Sequence, residues 1–260
     1  NGHNIKEVKN RKIMTMAKYK GKKMTFTKLL ELYNEKKRLY GDDVYRYISK
    51  ILSEAKELHS EYFLNSSTAA KTLAAGGIPD HEQSWRAFKG KNLEKLVMHI
   101  IKDEVEQLGL KIIEGNTLER TNSKNLSKEL NIVKRNLLVD YGEFGAHLPD
   151  VDLIIYDPVD YRVVSVISSK VTLRERIAQT GYWKIKLSDD EVTRHIKVFF
   201  VTPDEDGTLT KRYPTKKGRA IVEIDTDGSY VMSEEEIEES EKVKNFNRFI
   251  TDLKLLINKA

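Results

Sequence analysis

The stretch LPDVDLIIYDPVDYRVVSVISSK, residues 148–170, decides the fold. Two apolar, β-branched runs, Val151–Tyr156 and Tyr161–Ser168, flank Asp157-Pro158-Val159-Asp160. Pro and Asp pre-set turn geometry, so the pattern predicts an antiparallel hairpin. With the turn centred near Asp160, positions 150 and 170 face each other at its open end. Side chains alternate along a strand, which puts Ser168 and Lys170 on one face. Asp150, Ser168 and Lys170 are therefore expected to converge at one end of a sheet. Two other Pro-Asp pairs occur, Pro79-Asp80 and Pro203-Asp204, and neither leads into a hairpin that ends in a lysine.

Working outward, Ile196–Thr202 (IKVFFVT) and Ala220–Asp225 (AIVEID) read as further strands, and Lys111–Glu114 as a short one. Residues 91–108 carry apolar side chains at helical spacing and stop at Gly109, a helix-terminating residue. Shorter helices are expected near 125–137 and from Thr172 to Leu187. After the acidic stretch Glu234–Glu241, a helical tail runs through Leu253, Leu255 and Leu256. The resulting class is α/β, a mixed central sheet flanked by helices. Upstream, residues 25–63 show helical periodicity broken at Gly41-Asp42-Asp43, and residues 65–82 are small, polar and Gly-rich, as at a boundary. The expected organisation is a helical N-terminal subdomain with a basic arm over 1–75, and a catalytic domain with a C-terminal helix over 76–260.

Charge follows that division. Residues 1–30 hold nine basic residues against one acid, +8, within a 260-residue chain whose net charge is +5, so the remainder sums to −3. A basic arm on a nearly neutral body is not a uniformly basic nucleic-acid binder. The arm is expected to contact phosphates and to govern salt dependence more than sequence choice. No cysteine is present, which excludes disulfide scaffolds, thiolate zinc sites and cysteine nucleophiles. No apolar run approaches the ~18 residues of a membrane span, and the N-terminus lacks an apolar signal core. The expectation is a cytoplasmic protein with no membrane partner. The six histidines show no metal-ligand spacing, and Trp85 and Phe88 read as core. The basic segment Lys211, Arg212, Lys216, Lys217, Arg219 is expected to link two strands and to be able to touch phosphates.

An acid and a lysine converging at a sheet end suit phosphodiester cleavage. Hard carboxylate oxygens hold Mg²⁺, and a lysine can orient water and offset transition-state charge. Glu94, in the first turn of the 91–108 helix, has Val97 and Met98 as its three- and four-residue neighbours. Its carboxylate therefore borders the buried stripe and needs a partner or a metal.

These residues resemble a known family. Pro149-Asp150 followed by Ser168-x-Lys170 resembles the PD-(D/E)xK nuclease motif, and Gly90-x-x-x-Glu94 is similar to the opening of that fold's leading helix. Lys170-x-x-x-Arg174-Glu175-Arg176 resembles the element with which one group of type II restriction endonucleases reads CCGG or CCNGG sites. Gln83 is similar to an amide that some of them place in the minor groove. The matching islands lie between residues 83 and 180.

The resemblance implies a Mg²⁺-dependent endonuclease of restriction–modification. It would cut both strands of double-stranded DNA at a palindromic, CCGG-type site, leave 5′-phosphates and act as a homodimer. It implies catalytic roles for Asp150, Lys170, Glu94 and Ser168, with Asp150 and Glu94 on the metal, and base readout by Arg174, Glu175, Arg176 and Gln83. One departure stands out. Ser168 occupies a normally acidic position, and the following helix offers Tyr182, Trp183 and Lys184 where a compensating glutamate would fall. Glu94 is the candidate second ligand, with Asp189, Asp190 or Glu191 as alternatives.

The Arg-Glu-Arg element also has its own chemistry. Thr172-x-x-Glu175 forms a plausible capping box, but two arginines at a helix start oppose its dipole. Arginine matches guanine O6/N7 and a carboxylate accepts from cytosine N4, so the triplet suits a G·C-rich site. The rival readings are a repair or structure-specific nuclease on the same fold, and a non-catalytic DNA-binding protein. Arg174→Ala is expected to relax or abolish guanine selection, measured by sequencing the cut ends of a randomised duplex library. Unchanged site preference would remove the triplet from the readout.

Overall fold

The computed structural model describes residues 18, 19, 21–172 and 176–258. The chain divides into two compact units, Asn1–Asn92 and Leu93–Ala260. The division falls at Asn92 and not at residue 75.

In the first unit, α1 (Phe26–Tyr40) starts at Thr25, whose hydroxyl accepts from the Lys28 N–H. The Gly41–Tyr47 segment is a 3₁₀ turn and leads into α2 (Ile48–Leu64). Leu29, Leu32, Ile48, Ile51, Leu52 and Ala55 form the apolar centre of this unit. Sequence expectation and structure part at residues 65–82. Ser66 caps the first turn of α3 (Ser67–Ala74) by accepting from Ala69 N–H, so part of the small, polar segment is helical. Helix α4 spans His81–Gln107 and starts ten residues before the expected position. Trp85 is buried, as expected of a core residue.

The second unit contains the C-terminal part of α4 and then β1 (Lys111–Glu114), α5 (Gly115–Arg120), α6 (Lys128–Arg135) and the small ladder β2 (Val139–Asp140) with β3 (Ala146–His147). Next come β4 (Leu153–Tyr156), β5 (Val163–Ser169), α7 (Arg176–Asp189), β6 (Lys197–Thr202) and α8 (Lys217–Asp225). The unit closes with β7 (Gly228–Val231), β8 (Val243–Asn245) and α9 (Phe249–Ile257). The main sheet has the order β1-β4-β5-β6-β7-β8. The β1–β4 and β4–β5 pairs are antiparallel, and β5 to β8 run parallel. The mixed sheet flanked by helices is the expected class.

The hairpin arithmetic holds at the open end, where Leu153 pairs with Ile167 and Ile154 with Val166. A register shift between Ile155 and Tyr156 absorbs one residue near the turn. Asp157 and Asp160 tie that turn by accepting from the backbone N–H groups of Val159 and Arg162. All residues of β4 and β5 are buried, as strands covered on both faces must be.

Two expectations are corrected. Ala220–Asp225 belongs to helix α8, not to a strand, because its inward positions Arg219, Val222 and Thr226 recur at three- and four-residue steps. The strand in that layer is β7, whose GSYV carries too little apolar pattern to announce itself. The basic segment therefore joins a strand to a helix. Arg219 is fully buried, donates to the backbone carbonyls of Leu209 and Glu238, and sits 3.2 Å from Glu223. It is a structural clamp and not a phosphate contact.

One glycine bears on the sheet end. Gly115 donates its N–H to the Asp152 carbonyl at 2.8 Å, and a Cβ there would overlap the Val151 carbonyl oxygen. Gly115→Ala is expected to push β4 away at Asp152 and cost about 1–3 kcal/mol. Thermal unfolding checks this, and an unchanged Tm would show that the backbones have room to part.

Candidate active site

The site forms where β4 and β5 open. Asp152 directly precedes β4, and its backbone N–H bonds the Ile167 carbonyl at 3.0 Å. Extending the register sets it opposite Ser168. Its carboxylate turns along β5, accepting from Ser169 N–H at 2.6 Å and from Lys170 Nζ at 2.8 Å on each oxygen. Lys170 lies one residue beyond β5 and donates its own N–H to Val201 of β6. Glu94 completes the group from α4, with Oε1 3.5 Å from Lys170 Nζ. The side chains of Asp152, Glu94 and Lys170 are only 10%, 15% and 24% exposed.

Two carboxylates and one ammonium leave an excess of negative charge in a poorly solvated place. Glu94 bears the consequence, its pKa pushed up to about 7. Burial is the main cause and the Asp152 charge and hydrogen bond add to it, while Lys170 pulls the other way. Paired hard oxygens with unbalanced charge fit a divalent cation such as Mg²⁺, which takes one or two carboxylates and completes its shell with water and phosphate oxygens. Among the described residues no group of three His, Cys, Asp or Glu side chains that could hold a metal assembles.

The sequence-derived residues separate into those brought together and those not. Glu94 and Lys170 meet as expected. Asp150 does not join them; it is exposed and accepts from Gln179 Nε2 of α7 at 2.7 Å. Asp152 stands in its place. The register does set 150 opposite 170, but Lys170 carries its ammonium on a long stem that reaches back two residues along the hairpin. The available signal was the acid itself, lodged between Val151 and Leu153 in an otherwise apolar strand.

Ser168 is buried at the strand end. Two of the alternative carboxylates serve local structure. Asp190 accepts from Val192 N–H, Glu191 pairs with Arg194, and Asp189 is exposed at the end of α7. Gln83 belongs to the first unit, in the first turn of α4, where its N–H is held by Asp80. Arg174 and Glu175 lie outside the described residues, as does the Thr172-x-x-Glu175 capping box. Arg176 opens α7.

Comparison with known proteins points one way. The family model described as BsaWI restriction endonuclease type 2 matches residues 129–252. A protein of Methanocaldococcus jannaschii, assigned as the type II restriction enzyme MjaVIP, is 37% identical over 217 residues, covering 80% of this chain and 92% of its own. A Helicobacter pylori protein, assigned as the type II restriction enzyme HpyAORF263P, is 36% identical over 128 residues, 49% of this chain and 64% of its own. Among solved structures, the restriction endonuclease PspGI in complex with substrate DNA superposes with a TM-score of 0.51 at 17% identity, over 89% of this chain and 93% of that one. That likeness is one of fold. No described helix is long and apolar enough to cross a membrane.

The raised Glu94 pKa has a defined consequence for stability. A carboxyl whose folded pKa exceeds its ordinary 4.5 favours the folded state below about pH 4.5, and the benefit is lost as pH rises through about 7. In chelator-treated protein, Glu94→Gln is therefore expected to gain stability over the parent by about 2 kcal/mol between pH 5 and pH 8. Chemical denaturation at the two pH values measures it. A pH-independent difference would mean that the Glu94 charge is already compensated.

Proposed function

The chain belongs to the type II restriction endonuclease family, and on that premise we propose that it is a Mg²⁺-dependent endonuclease of double-stranded DNA. It cuts both strands at a palindromic site with a CCGG-type core and leaves 5′-phosphates. The observation that carries this reading is the convergence of Glu94, Asp152 and Lys170 at the open end of β4–β5.

In this reading Asp152 and Glu94 hold the metal, and Asp152 replaces Asp150 as the acid of the motif. When bound, Mg²⁺ supplies Lewis-acid polarisation of the scissile phosphate. The chain's own groups do the rest. Ser169 N–H fixes the Asp152 carboxylate in orientation. Lys170 reaches both acids, and with those acids engaged elsewhere its three donors are free to orient the attacking water and offset charge on a phosphate oxygen. Ser168 contributes the strand end and not a metal ligand. Asp150, through Gln179, anchors the Leu148–Asp150 approach to α7, the helix that Arg176 of the readout triplet opens. Arg174, Glu175 and Arg176 read G·C pairs in the major groove, and Gln83 a minor-groove edge. A palindrome read one half-site per chain calls for a two-fold homodimer.

The decisive experiment contrasts two acids two residues apart. Asp152→Asn and Lys170→Ala are expected to lower Mg²⁺-dependent cleavage of plasmid DNA at least about a thousandfold while duplex binding persists. Asp150→Asn keeps an acceptor for Gln179 and is expected to stay within about tenfold of the parent. An inactive Asp150→Asn beside an active Asp152→Asn would return the metal to Asp150. Cleavage confined to branched or damaged DNA would replace the restriction reading with a repair nuclease, and metal-independent binding without nicking would replace it with a DNA-binding protein.

A further inference from the structure

The segment Lys211–Lys217, between β6 and α8, is a basic, aromatic surface that neither the catalytic group nor the readout triplet uses. Its four cations and the neighbouring Arg219 have been sorted by the fold. Arg219 is buried as the clamp described above. Lys216 donates to the carbonyls of Asp206 and Gly207 at 3.2 and 2.9 Å. Lys211, Arg212 and Lys217 are exposed, and among the described residues no carboxylate lies within ion-pair distance of them. The nearest acid by hydrogen bonding, Glu238, spends its carboxylate on the Arg212 backbone N–H at 2.7 Å. The Arg212 guanidinium lies over the ring of Tyr213, 5.6 Å from its centroid, and that ring is 73% exposed. Lys217 opens α8, where the helix dipole disfavours a cation, so its placement is not explained by stability.

The position of this segment gives the charges a direction. The buried Asp204 carboxylate accepts from Thr208 and Leu209 N–H at 2.9 and 2.8 Å, and Glu205 N–H bonds Val171, the residue after Lys170. Leu209 and Val222 pack with Ile177, in the first turn of α7. Gly218 approaches so closely that a Cβ would lie 2.8 Å from Ile177 Cδ1. The basic tip is thus tied at one side to the residue following Lys170 and at the other to the first turn of α7, the helix that Arg176 opens. An anchored cluster beside a phosphodiester-cleaving centre meets the backbone that the centre acts on, because cations and an exposed hydroxyl match phosphate oxygens without reading bases.

We infer that Lys211, Arg212 and Lys217, with the Arg212 guanidinium seated on Tyr213, form a phosphate clamp on duplex DNA beside the scissile bond. It sets affinity and registration of the substrate, and the readout triplet sets sequence. This rests on the DNA-cleaving reading above.

The test is equilibrium binding of a fluorescein-labelled duplex of the cleaved sequence, followed by anisotropy from 50 to 200 mM KCl without Mg²⁺. Three lost phosphate contacts make the log–log salt slope of Lys211→Gln/Arg212→Gln/Lys217→Gln shallower by about 2–3, with affinity at 100 mM lower by about tenfold or more. The double variant Arg212→Gln/Lys217→Gln gives about two-thirds of that change in slope and covers the case in which the triple variant fails to fold. Lys124→Gln/Lys128→Gln/Lys254→Gln removes equal charge from exposed positions elsewhere. A parent-like slope in the loop variants, or an equal drop in the control, overturns the clamp and leaves the nuclease reading standing. Failure of the parent protein to bind duplex at all overturns both.

Discussion

The bond from Lys170 to Asp152 is the constraint on which the rest of this molecule depends. It closes the open end of the β4–β5 hairpin with a charged pair instead of a turn, and Ser169 N–H adds a third hold on the same carboxylate. The surrounding packing exists to keep that end in place. Gly115 lets the chain of β1 and α5 pass against the Asp152 carbonyl, and Val201 of β6 accepts the Lys170 N–H. A buried ion pair of this kind is a poor source of net stability, since desolvation offsets most of the attraction. On the proposed reading, the pair serves as preorganisation of the reacting groups.

Glu94 turns that pair into a site. A second carboxylate beside Asp152, with one ammonium for both, leaves negative charge in a poorly solvated place. The fold tolerates a group that is half protonated near neutral pH, in a helix whose other inward residues, Leu93, Leu96 and Val97, are fully buried. The electrostatic imbalance is local, as it must be in a second unit without a strong net charge. The basic residues are distributed accordingly. One arginine is taken into the core, one lysine ties a loop, and three cations remain on a tip fastened between the open end of β4–β5 and α7.

Much of this was legible in the chain itself. The hairpin of residues 148–170 could be read because Asp157-Pro158 and Asp160 mark the turn and the flanking runs are mostly apolar and β-branched. Its register could be read because counting outward from a turn needs only a period of two. Glu94 could be read because an acid on an apolar helix stripe is costly. The failures are equally physical. Ala220–Asp225 alternates well enough to pass for a strand, and only the three-residue spacing of Arg219 and Val222 against the sheet makes it a helix. Strand β7 is four residues of small and aromatic type, and it is a strand because β6 offers it a parallel edge. Asp150 was preferred to Asp152 because a motif is a pattern of letters, whereas a salt bridge depends on how far a side chain leans.

The sequence by itself determined the class of fold, the paired strands and the presence of an acid–lysine centre beside an acidic helix position. These follow from hydrophobic periodicity, turn residues and the cost of burying charge, all of which act within a few residues of the chain. Only the tertiary structure decided which acid meets the lysine, which arginine is buried and which cations stay in water. Those outcomes depend on side-chain reach and desolvation between segments distant in sequence, such as Glu94 with Lys170 or Arg219 with Glu238, and no local pattern encodes such distances.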